Sequence, residues 1–238
     1  MRTMHLSIAT LSLIGFSIGV ARAEDNKAPE GFTLLFNGKD LTNFQAQIPL
    51  GQRLKLSDEA REQLQKEGDL DVLPHWKVEG GAIVHDGKRG KHSWNLGTAK
   101  DFGDFELMLD WKIEPKGDSG LYLRGLPQVQ IWDSENLAES LKDDAGKGSG
   151  GLWNNPKGSK GKQPLKKADK PVGEWNSFHI VMKGDKVTVK LNGELVVEEA
   201  PLNPYWGLKE VPATGPIELQ HHGDKLWFKN IYIKELKN

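Results

Sequence analysis

The alternation of apolar and polar residues from position 76 onward is the feature that most constrains how this chain can fold. In FELMLDWKI (Phe105–Ile113), apolar side chains fall at every second position, which is the period of a strand with one buried face. Similar runs recur as far as residue 235 and are separated by turn signals, of which Asn192-Gly193 is the strongest. Because these runs do not alternate with helices as in βαβ units, they predict an all-β fold, an antiparallel sandwich or jelly roll.

The segment from Ser57 to Glu67 is the one clear helical stretch. Ser57 can cap its first turn, where Asp58 suits the positive end of the helix dipole. Gly68 can end the helix. Its few apolar residues predict a short surface insertion that lies on the sandwich.

The first 23 residues predict a secretory signal peptide. Arg2 supplies a positive start, residues 11–20 form an apolar run, and Ala21-Arg22-Ala23 is a cleavage site of the A-x-A type. An uncleaved membrane anchor is the less favoured alternative, because the run is shorter than the roughly 20 residues of a span. We therefore expect an exported protein, periplasmic or extracellular, with residues 24–238 forming a single domain.

Composition excludes several classes of function. The chain has no cysteine, which rules out thiol nucleophiles, thiolate metal sites and disulfides. Its formal net charge is −1, whereas a protein that binds the phosphate backbone of a nucleic acid is usually clearly basic. No nucleic-acid partner is therefore expected. The sequence also has no motif of a P-loop, a dinucleotide-binding fold, a zinc protease or a serine hydrolase.

Residues 134–174 interrupt the strand pattern. They are rich in glycine and lysine and show no periodicity. A structureless loop of this length inside a compact domain is uncommon and is often functional. The sequence therefore predicts a functional role for this loop.

The strand pattern also predicts which side chains share a face. Successive side chains of a strand point to opposite faces, so the polar positions of neighbouring strands can form one surface. If the predicted strands are neighbours, one face presents Glu106, Asp110, Tyr122, Arg124, Gln130, Trp132, Gln220 and His222. Such mixtures bind sugars, because aromatic rings stack on C–H surfaces while carboxylates, amides and arginine meet hydroxyl groups. The alternative is a solvated face with cross-strand ion pairs such as Glu106–Arg124.

Two further signals are weaker. His221 and His222 are adjacent, so in a regular strand they point to opposite faces and cannot both bind one metal ion. One of them is a candidate base or ligand, and the other is expected to pack in or near the core. Asp118-Ser119-Gly120 is typical of a turn, with calcium binding or capping of the site as alternatives.

At these residues the sequence resembles the family of 3-keto-glucoside 1,2-lyases and 3-keto-2-hydroxy-glucal hydratases, also called 3-keto-disaccharide hydrolases. The similarity spans nearly the whole chain after the signal segment. It rests on GFTLLFNGKDLTNF near the start, FELMLDWKI followed by GDSGLYLRG, VQIWD, GEWNSFHIVMKGDKVTVKLNGELV, and the closing GPIELQHHGDKLWFKNIYIKEL. None of these segments is decisive alone, and their occurrence in this order makes the resemblance specific.

The resemblance implies a concanavalin-like β-jelly roll and a substrate that is a glucoside already oxidised at C3. Carried over by position, the substrate-facing set on the concave sheet would include Glu106, Arg124, Gln130, Asp133 and His222. The chain departs from the family pattern at Glu218, where glycine is expected in many relatives, and in the Lys- and Gly-rich stretch 150–170. Either departure could alter substrate choice or mark a non-catalytic binder.

The implied chemistry needs three roles. A ketone at C3 acidifies the hydrogen on C2, so a base can remove it; the enolate then expels the group on C1, and water adds to the resulting glucal. His222 is the predicted base, because histidine titrates near neutral pH. Arg124 or a bound divalent metal ion would stabilise the enolate oxygen, and Glu106 or Asp133 would protonate the leaving oxygen. The residues predicted to bind and orient the sugar are Tyr122, Trp132, Gln130, Gln220 and Asp110.

Two other functions stay open at this point. A conventional glycosidase would use Glu106 with Asp110 or Asp133 and would cleave unoxidised glycosides. A carbohydrate-binding or laminin-G-like module would bind sugar without turnover, and replacement of His222 would then matter little. The expected partner is a small carbohydrate substrate, with a sugar 3-oxidase as the enzyme that makes its 3-keto form.

Overall fold

The chain folds into two antiparallel β-sheets that pack face to face. A computed structural model describes residues 25–135 and 147–237. The predicted signal peptide, residues 1–23, lies outside the described residues, as does part of the long loop. Within the described ranges, no helix combines the length and the apolar character needed to cross a membrane.

Thirteen strands and two α-helices occur in the described ranges. The strands are β1 (Thr33–Leu34), β2 (Phe44–Gln47), β3 (Trp76–Glu79), β4 (Ala82–Asp86), β5 (Asn95–Thr98), β6 (Phe105–Ile113), β7 (Asp118–Leu123), β8 (Leu126–Trp132), β9 (Asn176–Lys183), β10 (Lys186–Leu191), β11 (Glu194–Pro201), β12 (Glu218–Leu219) and β13 (Lys225–Glu235). The helices are α1 (Leu50–Arg53) and α2 (Asp58–Val72), and a 3₁₀ turn follows α2 at Leu73–His75.

The larger sheet has the strand order β11-β10-β9-β6-β13-β4-β3, with β1 paired to β13. The smaller sheet has the order β2-β5-β12-β7-β8. This arrangement confirms the predicted all-β sandwich of the jelly-roll type. Strand β12 has only two residues, but the chain after it still pairs with β7 through the Gln220 N–H and the Gly120 carbonyl, 2.9 Å apart.

Apolar residues of both sheets form one buried cluster. In β6, Leu107, Leu109 and Trp111 each have 2% or less of their surface exposed, and Leu121 and Val129 of the smaller sheet are fully buried. Removing a large apolar side chain from water is worth about 1.5–3 kcal/mol, so this layer supplies the main driving force for the fold. The period-two pattern in the sequence is therefore the alternation of core and outer face.

Strands β6 and β7 follow each other in the chain but lie in different sheets. A tight turn joins them, in which the Gly117 N–H donates to the Glu114 carbonyl at 3.0 Å. The polar side chains of β6 therefore lie outside the larger sheet, and those of β7 lie outside the smaller one. The expectation of a single polar face is wrong for Glu106 and Asp110, because it assumed that successive strands were neighbours in one sheet.

The helical insertion begins where it was predicted and ends later. Ser57 caps α2 by accepting a hydrogen bond from the Ala60 N–H at 3.3 Å. The predicted end at Gly68 is wrong, because the helix continues to Val72. A β-carbon at position 68 would come within 2.3 Å of the Trp94 ring, so glycine serves close packing here rather than termination. Helix α2 therefore packs closely against the Trp94 ring.

The described part of the long loop covers the edge of β8. The Gly150 N–H donates to the Gln130 carbonyl at 2.8 Å, and the Gln130 N–H donates to the Gly151 carbonyl at 2.9 Å. An uncovered edge strand exposes unpaired backbone groups that can recruit other chains. The loop therefore has a structural role, whereas the prediction of a functional role stays a prediction, with residues 136–146 outside the described ranges.

Candidate functional site

A polar surface lies on the outer face of the smaller sheet. The strand register places Glu218 opposite Tyr122 of β7 and opposite Gly97 of β5, so these positions share one face. A β-carbon at Gly97 would come within 2.6 Å of Gln47 Oε1. Glycine therefore leaves room for the Gln47 side chain to lie across the sheet.

A pocket of about 240 Å³ opens on this face. Its walls combine aromatic rings with amides, a carboxyl group, a guanidinium and imidazoles, which is the mixture expected of a site for a polar small molecule. The lining residues are Gln47, Pro49, Arg89, Ser93, Trp94, Asn95, Tyr122, Trp206, Glu218, Gln220, His221 and His222. The structure thus brings together three of the predicted site residues: Tyr122, Gln220 and His222.

Glu218 is a buried acid within this pocket, with 2% of its surface exposed. Its Oε2 accepts a hydrogen bond from Asn95 Nδ2 at 2.8 Å. Burial raises the pKa of Glu218 to about 8, and the opposing effects of the Asn95 hydrogen bond and the Arg53 charge are smaller. The side chain is therefore mainly protonated at neutral pH and can donate a proton.

Three buried oxygen atoms in the pocket have no hydrogen-bond partner among the described residues. They are the Oε1 atoms of Gln47, Glu218 and Gln220. Buried polar atoms are nearly always paired, and leaving one unpaired costs about 1–3 kcal/mol. Hydroxyl groups are suitable partners for such oxygen atoms, which favours a ligand rich in hydroxyl groups.

Tyr122 contributes a phenol that remains protonated. Burial raises the pKa of Tyr122 to about 12, and the nearby carboxyl group of Glu218 acts in the same direction. The Tyr122 hydroxyl accepts a hydrogen bond from Gln220 Nε2 at 3.4 Å. Its own proton is therefore available to an oxygen atom of a ligand.

His222 lies in the turn after β12 and is exposed. Its backbone carbonyl accepts a hydrogen bond from the Arg89 guanidinium. Asp118 is its electrostatic neighbour: burial raises the pKa of Asp118, while the charge of His222 acts in the opposite direction. Gln130 Nε2 donates to Asp118 Oδ1 at 2.7 Å, so Gln130 positions Asp118. Asp118 lies in β7, and its interpretation as part of a turn is wrong.

His221 packs against the core, as expected for one member of the pair. Its ring lies 4.1 Å from the ring of His85 in β4, measured between centroids, and its Nε2 lies 3.2 Å from the Trp94 carbonyl. Burial lowers the pKa of His221 to about 4. This imidazole is therefore neutral at neutral pH and helps to join the two sheets.

Two predicted residues lie on the opposite side of the sandwich. Glu106 accepts a hydrogen bond from Lys234 Nζ at 2.9 Å and lies 3.2 Å from His179 Nε2. The Lys234 bond is the main reason that the pKa of Glu106 is lowered. Asp110 accepts a hydrogen bond from Ser177 Oγ at 2.5 Å. Both carboxylates stabilise the outer face of the larger sheet, so their predicted roles as acid and sugar ligand are wrong for this pocket.

Arg124 is a structural residue. A register shift in the pairing of β7 with β8, together with a backbone φ of 52° at Arg124, turns its side chain away from the polar face. Its guanidinium, 3% exposed, donates to Asp104 Oδ1 at 2.5 Å. It also donates to the carbonyls of Gly103, Gly184 and Pro212 at 2.8–3.0 Å. The predicted role of Arg124 in stabilising an enolate is therefore wrong.

Asp133 and Trp132 also lie outside the pocket. The two carboxylate oxygens of Asp133 accept hydrogen bonds from the backbone N–H groups of Lys116 and Glu135, at 2.8 and 3.1 Å. Trp132 Nε1 donates to the Gly148 carbonyl at 3.0 Å. Both residues line a separate cavity of about 220 Å³. The expectation that they serve the same site as His222 is wrong, because backbone groups of Lys116, Glu135 and Gly148 hold their side chains away from this pocket.

The sequence interpretation missed several lining residues: Glu218, Asn95, Gln47, Arg89, Trp94 and Trp206. A signal existed for Glu218, since the alternation in its strand places it on the same face as Gln220 and His222. Gln47 and Asn95 belong to strands of only four residues, which are too short to show a period.

A metal centre is not evident in this pocket. Across residues 25–135 and 147–237, no group of three or more His, Asp or Glu side chains is arranged to hold a metal ion. The divalent ion considered as an alternative to Arg124 therefore has no set of three such ligands among these side chains.

Residues 31–234 match the model of a family described as 3-keto-alpha-glucoside-1,2-lyase-like domains. Among curated proteins, a 3-keto-disaccharide hydrolase of Bacteroides thetaiotaomicron is 24% identical over 213 residues. The aligned part covers 69% of this chain and 71% of that protein.

Solved structures give a matching result. A candidate glycosyl hydrolase from Parabacteroides distasonis is 28% identical and superposes with a TM-score of 0.65, covering 90% of this chain and 100% of that one. A second candidate glycosyl hydrolase from the same species is 22% identical, with a TM-score of 0.57 and coverage of 86% and 99%. The second comparison supports the fold alone.

Proposed function

Because the chain belongs to the family of 3-keto-alpha-glucoside-1,2-lyase-like domains, we propose that it is a carbohydrate-active enzyme that cleaves 3-keto-glucosides by elimination and hydrates the resulting glucal. The names of its relatives, a 3-keto-disaccharide hydrolase and a candidate glycosyl hydrolase, support action on sugars. The observation that carries the proposal is the presence in one pocket of a protonated acid, Glu218, and an exposed imidazole, His222. Titratable groups held in different environments can divide the acid and base roles.

The elimination begins at C2 of the bound 3-keto sugar. The His222 imidazole removes the C2 proton, and the C–H electron pair passes into an enolate. The enolate then forms the C1=C2 double bond as the C1–O bond breaks, and Glu218 donates its proton to the departing oxygen. One proton thus moves from the sugar to His222, and one moves from Glu218 to the leaving group.

The hydration reverses these proton movements. A water oxygen bonds to C1 while the Glu218 carboxylate accepts a water proton. Protonated His222 returns its proton to C2, and both side chains regain their starting states. The net result of the two steps is hydrolysis of the glycosidic bond.

The enolate oxygen needs a nearby hydrogen-bond donor, because preorganised donors at a developing charge often give the largest rate effect. Arg89 and Tyr122 are the proposed donors. Arg89 is the guanidinium that lines the pocket, and Tyr122 keeps its phenolic proton. Arg89 therefore takes the role first assigned to Arg124.

The carboxyl groups favour elimination over conventional glycoside hydrolysis. The conventional mechanism uses two carboxyl groups about 5–5.5 or 6.5–9.5 Å apart that flank the bond to be cleaved. Among the described residues that line the pocket, Glu218 is alone in carrying a carboxyl group. The carboxylates suggested for a conventional glycosidase, Glu106 with Asp110 or Asp133, do not share this pocket.

A substrate labelled with deuterium at C2 tests the mechanism. If His222 removes this hydrogen during a slow step, release of the leaving group from the labelled 3-keto-glucoside is slower than from the unlabelled one. Deuterium at C1 serves as the control position. Equal rates for the C2-labelled and unlabelled substrates in single-turnover experiments would contradict removal of the C2 hydrogen in the slow step, whereas label kept in the product would only show that His222 returns the same hydrogen to C2.

The proposed substrate also implies a preceding reaction. An ordinary glucoside must first be oxidised at C3, so a sugar 3-oxidase is the proposed functional partner. Export of the chain and action in the periplasm or the medium remain predictions of the N-terminal sequence.

A further inference from the structure

Two exposed aromatic residues stand beside the pocket. Tyr205 and Trp206 each have 38% of their surface exposed. Their rings meet edge to face, with centroids 5.0 Å apart and planes at 75°. Trp206 lines the same pocket as Glu218 and Tyr122. Exposed aromatic surface at the rim of a polar pocket forgoes hydrophobic stabilisation and is typical of a binding surface.

The structure holds Trp206 in one place. Its Nε1 donates to the Gly125 carbonyl at 2.9 Å. A β-carbon at Gly51 of α1 would lie 3.2 Å from Trp206 Cβ, so the helix backbone packs against the base of this side chain. The backbone φ of Trp206 is 63°, a left-handed conformation that bulky residues rarely adopt. Such strain is kept where surrounding contacts impose it, often at binding sites.

Gly125 lies between Trp206 and the side chain of Glu218. Its carbonyl binds the Trp206 ring, and a β-carbon at the same residue would lie 3.6 Å from Glu218 Oε1. Trp206 and the unpartnered oxygen of Glu218 therefore lie on the same side of the pocket. The group that receives a proton from Glu218 would leave past the Trp206 ring.

We infer that Trp206 and Tyr205 form the binding surface for the leaving group, and that this surface selects leaving groups containing a ring, such as a second sugar or an aromatic alcohol. The inference rests on the proposed function, which orients the substrate with its leaving group towards Glu218. A pyranose C–H face or an aromatic ring can stack on Trp206, whereas a methyl group offers little area to it. The surface thus determines which leaving groups bind well and takes no part in breaking the bond.

Benzyl and methyl 3-keto-glucosides of the same anomeric configuration form the matched test pair, because both leaving groups are primary alcohols and one carries a ring. We expect Trp206→Ala to lower kcat/KM for the benzyl substrate about 2- to 10-fold more than for the methyl substrate, mainly through KM. Trp206→Phe should restore most of the preference. Trp175→Ala is the matched control, since Trp175 lies on the outer face of the larger sheet and should leave the benzyl-to-methyl ratio unchanged.

Equal changes for both substrates in Trp206→Ala and in Tyr205→Ala would overturn the inference. A binding measurement separates it from the proposed function: titration calorimetry with unoxidised benzyl and methyl glucosides needs no turnover. If the wild-type protein cleaves neither 3-keto substrate, the proposed function fails. Tighter binding of benzyl glucoside that is lost in Trp206→Ala would still support the aromatic surface, and equal binding of the two glucosides would contradict it.

Discussion

Replacing Glu218 by glutamine tests the buried acid on which the proposed chemistry depends. Glutamine keeps the shape of the side chain and its bond to Asn95 but does not titrate. Burial raises the pKa of Glu218 from 4.5 to about 8, so the folded protein holds a proton that the unfolded chain releases at lower pH. The stability contributed by this proton is complete below about pH 4.5 and is lost as the pH rises towards about 8.

The size of the effect follows from the width of this pH window. Each pH unit between the two pKa values is worth about 1.4 kcal/mol. Between pH 5 and pH 7.5 the wild-type protein should therefore lose about 3 kcal/mol of unfolding free energy relative to Glu218→Gln. Water that enters the pocket would reduce this free-energy difference without changing its direction.

Urea unfolding of both proteins at the two pH values measures this difference. Glu198→Gln is the control, because Glu198 is an exposed carboxylate on β11 and its replacement should give no comparable pH dependence. If the gap in unfolding free energy between the wild-type protein and Glu218→Gln is the same at both pH values, Glu218 does not hold a proton in the folded state. The assignment of Glu218 as the acid of the site would then be wrong.

Further substitutions separate catalytic from structural residues. Glu218→Gln should lower kcat about 10²-fold or more for methyl 3-keto-glucoside and much less for the 4-nitrophenyl compound, whose leaving group needs little protonation; equal losses would contradict an acid role. With an alkyl leaving group, wild-type activity should fall above about pH 8, where Glu218 loses its proton, and a rate that keeps rising there would argue against this acid. His222→Gln should lower kcat by about 10²–10⁴-fold with unchanged thermal stability, and full activity would eliminate His222 as the base. Glu106→Gln should leave kcat/KM within about 2-fold of the wild-type value in the same assay, because Glu106 lies on the other sheet. Arg124→Ala should destabilise the fold by about 3 kcal/mol or more in urea unfolding, since it leaves Asp104 and several carbonyls without their donor.

The sequence was sufficient to predict the class of fold and the long strands with regular alternation, but not the four-residue strands β2 and β5. Strand β6 has the predicted bounds, because nine residues of regular alternation leave little freedom of interpretation. The alternation of apolar and polar residues could not assign the strands to their sheets. The strands that contain Glu106 and Tyr122 show the same alternation of apolar and polar residues. The turn at Gly117 nevertheless places these two strands, β6 and β7, in different sheets. Periodicity reports which face of a strand is buried and contains no information on which strand lies next to it.

The site was predicted in part for the same reason. Tyr122, Gln220 and His222 reach the pocket because β7 and the segment containing β12 are neighbours in one sheet. Arg124 is excluded by a local register shift that the alternation could not reveal. Glu218 has the residue type expected for an ion pair on a solvated face, and its burial depends on tertiary packing around Gly125.

We propose that the pocket acts on sugars oxidised at C3. The most direct measurement is release of 4-nitrophenol from matched 3-keto and unoxidised 4-nitrophenyl glucosides by the purified protein, with and without a chelator. We predict release from the 3-keto member alone, and loss of this release with chelator would add a metal ion to the mechanism. Release from the unoxidised member would contradict the claim and indicate a conventional glycosidase, whereas sugar binding without release from either member would indicate a binding module.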